Sequence, residues 1–212
     1  MSTQSDLAQS VIDGDWDAAA ALAQAAADAV KDPQVIIFDV LQPAMEEVGR
    51  RFSEGEFFLP DMLAAGRAMT AALQVLQPLL GNSAVSKLGL VLIGTVEGDV
   101  HEIGKSMVSM FLKGSGFEVI DLGVDVHPET FVDAVKTHQP DILGLSALLT
   151  TTMPHLGKTI GALQDAGLRT QVKVVIGGAP VTQPYADMIG ADGYAADAGA
   201  AASLCKRLVS CE

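Results

Sequence analysis

The sequence is short of cysteine, of aromatic residues and of positive charge, and each shortage removes a class of function. Among 212 residues there are two cysteines, Cys205 and Cys211. They are too few and too badly spaced for a disulfide framework or a CxxC metal site, and two free thiols fit a reducing compartment. Lys and Arg number 13 against 26 Asp and Glu, a formal net charge of −13, and the pI is near 4.5. Following a phosphate backbone takes clustered basic side chains, so nucleic acid is not an expected partner. A membrane surface is disfavoured on the same ground. The longest apolar run, LGLVLIGTV at 88–96, falls well short of the ~20 residues that span a bilayer. The opening MSTQSDLAQSVIDGDW lacks a basic start followed by an apolar stretch, so a soluble, cytoplasmic protein is expected.

What the sequence does have is enough apolar material for a core. Hydrophobic residues make up 49% and charged residues 18%, with mean hydropathy +0.34, which excludes a disordered chain. The length allows one large domain or two small ones. Two patterns divide it, at 1–82 and 83–212. The first is Ala-rich, with apolar residues at helical spacing, and predicts helices at 5–13, 15–31, 33–53 and 58–80. Asp32-Pro33 separates the second from the third, Gly55 ends the third, and Pro60 sits in the first turn of the fourth. Four helices with short loops predict an antiparallel bundle. It holds 4 basic and 12 acidic residues, a net charge of −8.

After a linker at Gly81-Asn82-Ser83, short apolar runs alternate with helical stretches. The runs LGLVLIGTV, FEVIDLG, DILGLSAL, KVVIGGA and DGYAA read as strands. Helices are expected at 103–114, 129–138, 154–167, 183–189 and 199–209. Continuous apolar strands between amphipathic helices predict an α/β, doubly wound, five-stranded parallel sheet of flavodoxin-like order. Ligands of such sheets bind beyond the carboxyl ends of the strands, where the strand order reverses.

The loop after the first strand reads GTVEGDVHEIGKSMV. It is neither a GxGxxG fingerprint nor a phosphate loop. Asp99, His101 and Gly104 stand there, a carboxylate two residues before an imidazole. A carboxylate bonded to one ring nitrogen fixes the tautomer and improves the other nitrogen as a metal donor. With one plausible ligand, a metal held by protein alone is not expected; a single imidazole suits a metal already held by a macrocycle. The third strand ends in Ser146-Ala147-Leu148, followed by Thr150, Thr151 and Thr152. The fourth ends in Gly177-Gly178, where the missing Cβ allows close approach.

In order, DxHxxG is followed after 41 residues by SxL and after 28 more by GG. This resembles the cobalamin-binding pattern of the methionine synthase class. VGRRFSEGEFFLPDMLAAGRAM at 48–69 is similar to the helical cap that precedes the cobalamin domain in that class. The whole resembles the free-standing corrinoid proteins of methanol, methylamine and glycine betaine methyltransferase systems. The resemblance implies a cobalamin cofactor in its methylcobalamin and Co(I) forms, with His101 as axial cobalt ligand and Asp99 holding His101. Thr152 matches a hydroxyl that extends this relay to solvent. Gly104 would admit the displaced nucleotide tail, Ser146, Leu148 and Thr150 would contact it, and Gly177 and Gly178 would let its far end pass. Phe52 and Leu59 match the pair that shields the upper face. The implied partners are a substrate-specific methyltransferase, a methyl-acceptor methyltransferase using tetrahydrofolate or a thiol, and an ATP-dependent reductive activator. The chain alone would be a non-catalytic methyl carrier, with a mobile linker at 81–86.

Three other families share parts of these patterns. An adenosylcobalamin-dependent sensor would share both modules, but such proteins usually add a DNA-binding domain and a cap Trp, and the one Trp here is Trp16. A carbon-skeleton mutase subunit would not be expected to carry the cap. VIIFDVLQPAM at 35–45 resembles the phospho-accepting strand of a receiver domain with Asp39 as acceptor, but the earlier acidic pair that such a domain needs for Mg²⁺ is missing.

Overall fold

The computed structural model describes residues 3–29, 33–80 and 88–210; the expected linker at 81–86 and Cys211 lie outside them. The chain divides into two compact units, one of Met1–Lys87 with Lys113–Gly116 and one of Leu88–Leu112 with Phe117–Glu212.

In the helical unit, α1 is Thr3–Ile12, α2 Trp16–Ala29, α3 Pro33–Ile36, α4 Gln42–Ser53 and α5 Leu59–Leu76, with a 3₁₀ turn at Gln77–Leu80. Asp15 starts α2 by accepting the Ala18 N–H at 3.0 Å, and Asp61 starts α5 by accepting the Phe58 N–H at 2.8 Å; both follow the usual logic of helix N-termini. The core is made by Leu7, Val11, Ile36, Leu41, Met45, Val48, Met62, Met69 and Leu76, all nearly inaccessible.

The expected helix over 33–53 is found at those bounds, with one irregular turn inside it. Between α3 and α4 lies a π-helical segment, Ile37–Leu41, in which the Gln42 N–H reaches back five residues to the Ile37 carbonyl. Pro43 supplies the reason. It has no N–H to give the Asp39 carbonyl, and its ring would collide with that carbonyl in a regular α-helix; a wider turn removes the collision. VIIFDVLQPAM is therefore helical throughout, with Asp39 exposed on it, as its place in the third predicted helix implies.

The second unit is an all-parallel sheet of β1 (Leu90–Thr95), β2 (Glu118–Asp121), β3 (Ile142–Ser146), β4 (Lys173–Gly177) and β5 (Gly193–Ala195). Its order is β2-β1-β3-β4-β5, the doubly wound flavodoxin-like arrangement expected from the apolar runs. The connecting helices are α6 (Ile103–Gly114), α7 (Pro128–His138), α8 (Met153–Asp165) and α9 (Gln183–Ile189), and α10 (Ala198–Ser210) follows β5. Leu92, Leu143, Leu145, Val174 and Ile176 form one buried cluster with Phe131, Val135, Leu156 and Ile160 of α7 and α8. Among the described residues no helix is long and apolar enough to cross a membrane. The order reverses between β1 and β3, and the register aligns Thr95 with Ser146 and Ser146 with Gly177, so three strands end level at the carboxyl edge.

Candidate functional site

The loop leaving β1 at that edge is tied down on every side. Val96 donates its N–H to the Ser146 carbonyl at 3.0 Å, and Asp125 donates its N–H to the Asp99 carbonyl at 2.9 Å. Gly98 N–H donates to Asp125 Oδ1 at 2.7 Å. Asp99, 1% exposed, uses both carboxylate oxygens twice. Oδ1 accepts the His101 N–H at 3.0 Å and the His101 ring Nδ1 at 2.6 Å. Oδ2 accepts the Leu148 N–H at 2.7 Å and the Thr152 hydroxyl at 2.7 Å. Burial alone would raise this carboxyl; the bonds from Leu148, Thr152 and His101 outweigh it and hold the group well below the usual carboxylate range.

With Nδ1 committed to a carboxylate that can only accept, the His101 ring carries its proton there. Nε2 is left with a lone pair, and among the described residues it has no hydrogen-bond partner. The side chain is 45% exposed. A buried Thr95 hydroxyl fixes the other end of the residue by donating to the His101 carbonyl at 2.9 Å. The result is an oriented, tautomer-locked imidazole nitrogen facing outward. No group of three His, Cys, Asp or Glu able to hold a metal occurs among the described residues.

The surroundings accord with a flat apolar guest. Val100 is 70% exposed and Ile103 65%, with Leu148 and Leu149 also exposed. Gly104, in the first turn of α6, has nothing within 4 Å of the position a Cβ would take, so no part of the chain requires glycine there. Gly178 is different. Its φ is +126°, and a Cβ would lie 1.9 Å from the Ala147 carbonyl oxygen; glycine is demanded by the backbone crossing whether or not a ligand is present.

The structure thus joins Asp99, His101, Thr152 and the Leu148 backbone in one network, with Ser146 and Gly177 level beside it. Thr150 is exposed and lies outside this network. Thr152 is 5% exposed, and its hydroxyl sits between Asp99 Oδ2 and the Leu149 carbonyl. Phe52 and Leu59 belong to the helical unit. Phe52 is half-buried on α4 and Leu59 is 39% exposed at the start of α5. Nearby, the Arg51 guanidinium stacks on the Phe57 ring at 5.2 Å, and Phe58 is 66% exposed.

Sequence reasoning passed over four participants. Thr95 and the Leu148 N–H act through the backbone or on it. Asp125 holds a positive φ of 53°. Lys105 is buried and paired with Asp121 at the end of β2. A lysine inside a helical apolar stretch was the one available signal.

Comparison with known proteins agrees with this geometry. A B12-binding domain family model matches residues 89–205, and a second B12-binding domain model matches residues 3–77. The chain is 49% identical over 180 residues to a dimethylamine corrinoid protein of Methanosarcina acetivorans, covering 84% of each. A crystal structure of a cobalamin-binding protein from Desulfitobacterium hafniense superposes with a TM-score of 0.84 at 34% identity, covering 98% of both chains. The methanol:cobalamin methyltransferase complex MtaBC of Methanosarcina barkeri gives a TM-score of 0.84 at 30% identity, over 99% of this chain and 80% of that one. With its helical cap, its parallel sheet and an outward imidazole at the sheet's switch point, the chain belongs to the B12-binding corrinoid protein family of methyltransferase systems.

Proposed function

We propose that the protein carries a methyl group on a bound cobalamin between two partner enzymes, and that His101 Nε2 would hold the cobalt. The observation that supports this best is the His101 ring itself, locked through Nδ1 to a buried carboxylate and free at Nε2. The cofactor, when bound, supplies a cobalt centre that accepts and releases a methyl group. Everything else falls to the chain. Asp99 holds the tautomer and orientation of His101, so that Nε2 would be presented to the metal. Thr152 and the Leu148 N–H keep Asp99 ionised while buried. Gly104 leaves room for the displaced nucleotide tail, with Ser146, Leu148, Thr150, Gly177 and Gly178 along its course. Phe52 and Leu59 would keep water and oxidants from the bound cofactor.

The proposed partners are a substrate-specific methyltransferase, a methyl-acceptor methyltransferase acting on tetrahydrofolate or a thiol, and an ATP-dependent reductive activator. Likeness to a dimethylamine corrinoid protein makes a methylated amine the first donor class to try. Mixing the protein with hydroxocobalamin and desalting tests the reading. A corrinoid spectrum that elutes with the protein at one per chain, and that changes in His101→Ala, is the expected result. Loss of all colour from folded protein, or an identical spectrum in the variant, refutes axial ligation.

A further inference from the structure

One charged cluster at the carboxyl edge plays no part in the network above. Glu97, two residues before Asp99, faces two imidazoles. His155 Nδ1, on the first turn of α8, is hydrogen bonded to Glu97 Oε2 at 2.9 Å. His127 Nδ1, at the residue that caps α7, lies 3.1 Å from Glu97 Oε1. The glutamate is one-third exposed and His155 about one-fifth, while His127 is 60% exposed.

The chain around it gives the cluster leverage. His155 follows Thr152, which is bonded to Asp99, by three residues, and the His155 N–H donates to the Thr152 carbonyl at 3.0 Å. His127 follows Asp125 by two, and Asp125 holds both the Gly98 N–H and the Asp99 carbonyl. Glu97 is thus held by the residue that caps α7 and by the first turn of α8, and the chain leading into each of those helices holds Asp99. From this we infer that Glu97, His127 and His155 form a clamp that positions the His101 loop for metal ligation. These are positioning residues: Glu97 draws the starts of α7 and α8 onto the β1–α6 loop, and so sets how far His101 can swing when its Nε2 is engaged or released. The inference rests on the ligand role proposed for His101.

Two measurements on the full chain test it. In cofactor-free protein, hydrogen exchange of the amides of Gly98, Asp99 and His101 is followed in wild type, Glu97→Ala and Glu97→Gln. In protein loaded with methylcobalamin, the visible band that separates imidazole-bound from imidazole-free cobalt is read. A carboxylate hydrogen bond of this exposure biases the loop by about threefold to tenfold. Glu97→Ala is expected to speed exchange by about that factor and to raise the imidazole-free fraction to match. Glu97→Gln, which still accepts one imidazole N–H, is expected to recover part of both effects. His127→Asn and His155→Asn, milder changes should Glu97→Ala fold poorly, are each expected to give a smaller shift in the same direction. Unchanged exchange and an unchanged band in the folded variants overturn the clamp, even if melting temperature falls. Faster exchange in the variants, with no imidazole-bound cobalt in wild type, overturns the His101 reading and the clamp's role in ligation with it.

Discussion

Replacing Asp99 by Asn keeps the size of the side chain and removes its charge, and the structure gives the cost. The carboxylate accepts four hydrogen bonds, two at each oxygen. An amide has one acceptor oxygen, so one pair of donors must face an NH₂ group. If the pair is Leu148 N–H and Thr152, a buried backbone donor loses its partner. If the pair is on His101, the ring can answer only by moving its proton to Nε2, which removes the lone pair proposed to hold cobalt. Leaving buried donors unsatisfied costs about 1–3 kcal/mol each, so a loss of about 3 kcal/mol is expected, or ~10 °C in Tm for a chain of this size. Second-sphere partners of a metal-bound imidazole are worth about 10–100-fold in affinity, and cobalamin retention should weaken in that range.

The dependence on pH has a definite sign. Asp99 titrates lower in the folded protein than in the unfolded chain, so its contribution is complete above about pH 5 and is lost progressively as pH falls toward the folded-state value. The gap in stability between wild type and Asp99→Asn should therefore be widest near neutral pH and narrow in acid. Chemical denaturation at a series of pH values, followed by far-UV circular dichroism, measures it. A variant that melts within about 2 °C of wild type at pH 7 and keeps its axial ligand would refute the reasoning.

Other outcomes are expected. Gly178→Ala should destabilise the sheet unit by about 3 kcal/mol or more, read as a drop in denaturation midpoint, since a Cβ there meets the Ala147 carbonyl at 1.9 Å. Gly104→Ala should leave stability unchanged or raise it by up to about 1 kcal/mol, yet reduce cobalamin retention on a desalting column. Phe52→Ala should bind cobalamin nearly as wild type does but lose the reduced cofactor to air faster, followed by absorbance. Cys205, whose thiol burial pushes up to about 12, should stay silent to a thiol reagent at pH 8 in a Cys211→Ser background and react on addition of denaturant.

The parts of the fold that were legible in the sequence are those written in contiguous residues. Strands buried on both faces read as unbroken apolar runs, and β1, β3 and β4 follow from LVLIGT, ILGLS and KVVIG. Asp99 and His101 are two apart, so their pairing could be read directly. The Leu148 N–H could not, because every residue but proline has one. Which of Thr150, Thr151 and Thr152 reaches Asp99 depends on where the α8 turn begins. The Glu97 cluster joins residues 58 apart in the chain, and no local pattern marks it. The π segment escaped because Pro43 was passed over within an otherwise good helical period.

That segment also keeps time for the helix. Its buried residues Ile36, Val40, Ala44 and Val48 recur every four positions, whereas an α-helix turns through about 100° per residue. A strict four-residue repeat would creep about 40° around the axis at each step, leaving Val48 on a different side from Ile36. The wider turn winds part of that creep back. Forcing the five residues 37–41 into regular α winding, at about 100° each, would turn everything beyond them further around the axis and carry Phe52 off its present side. In this helix, one irregular turn determines which way the far end looks.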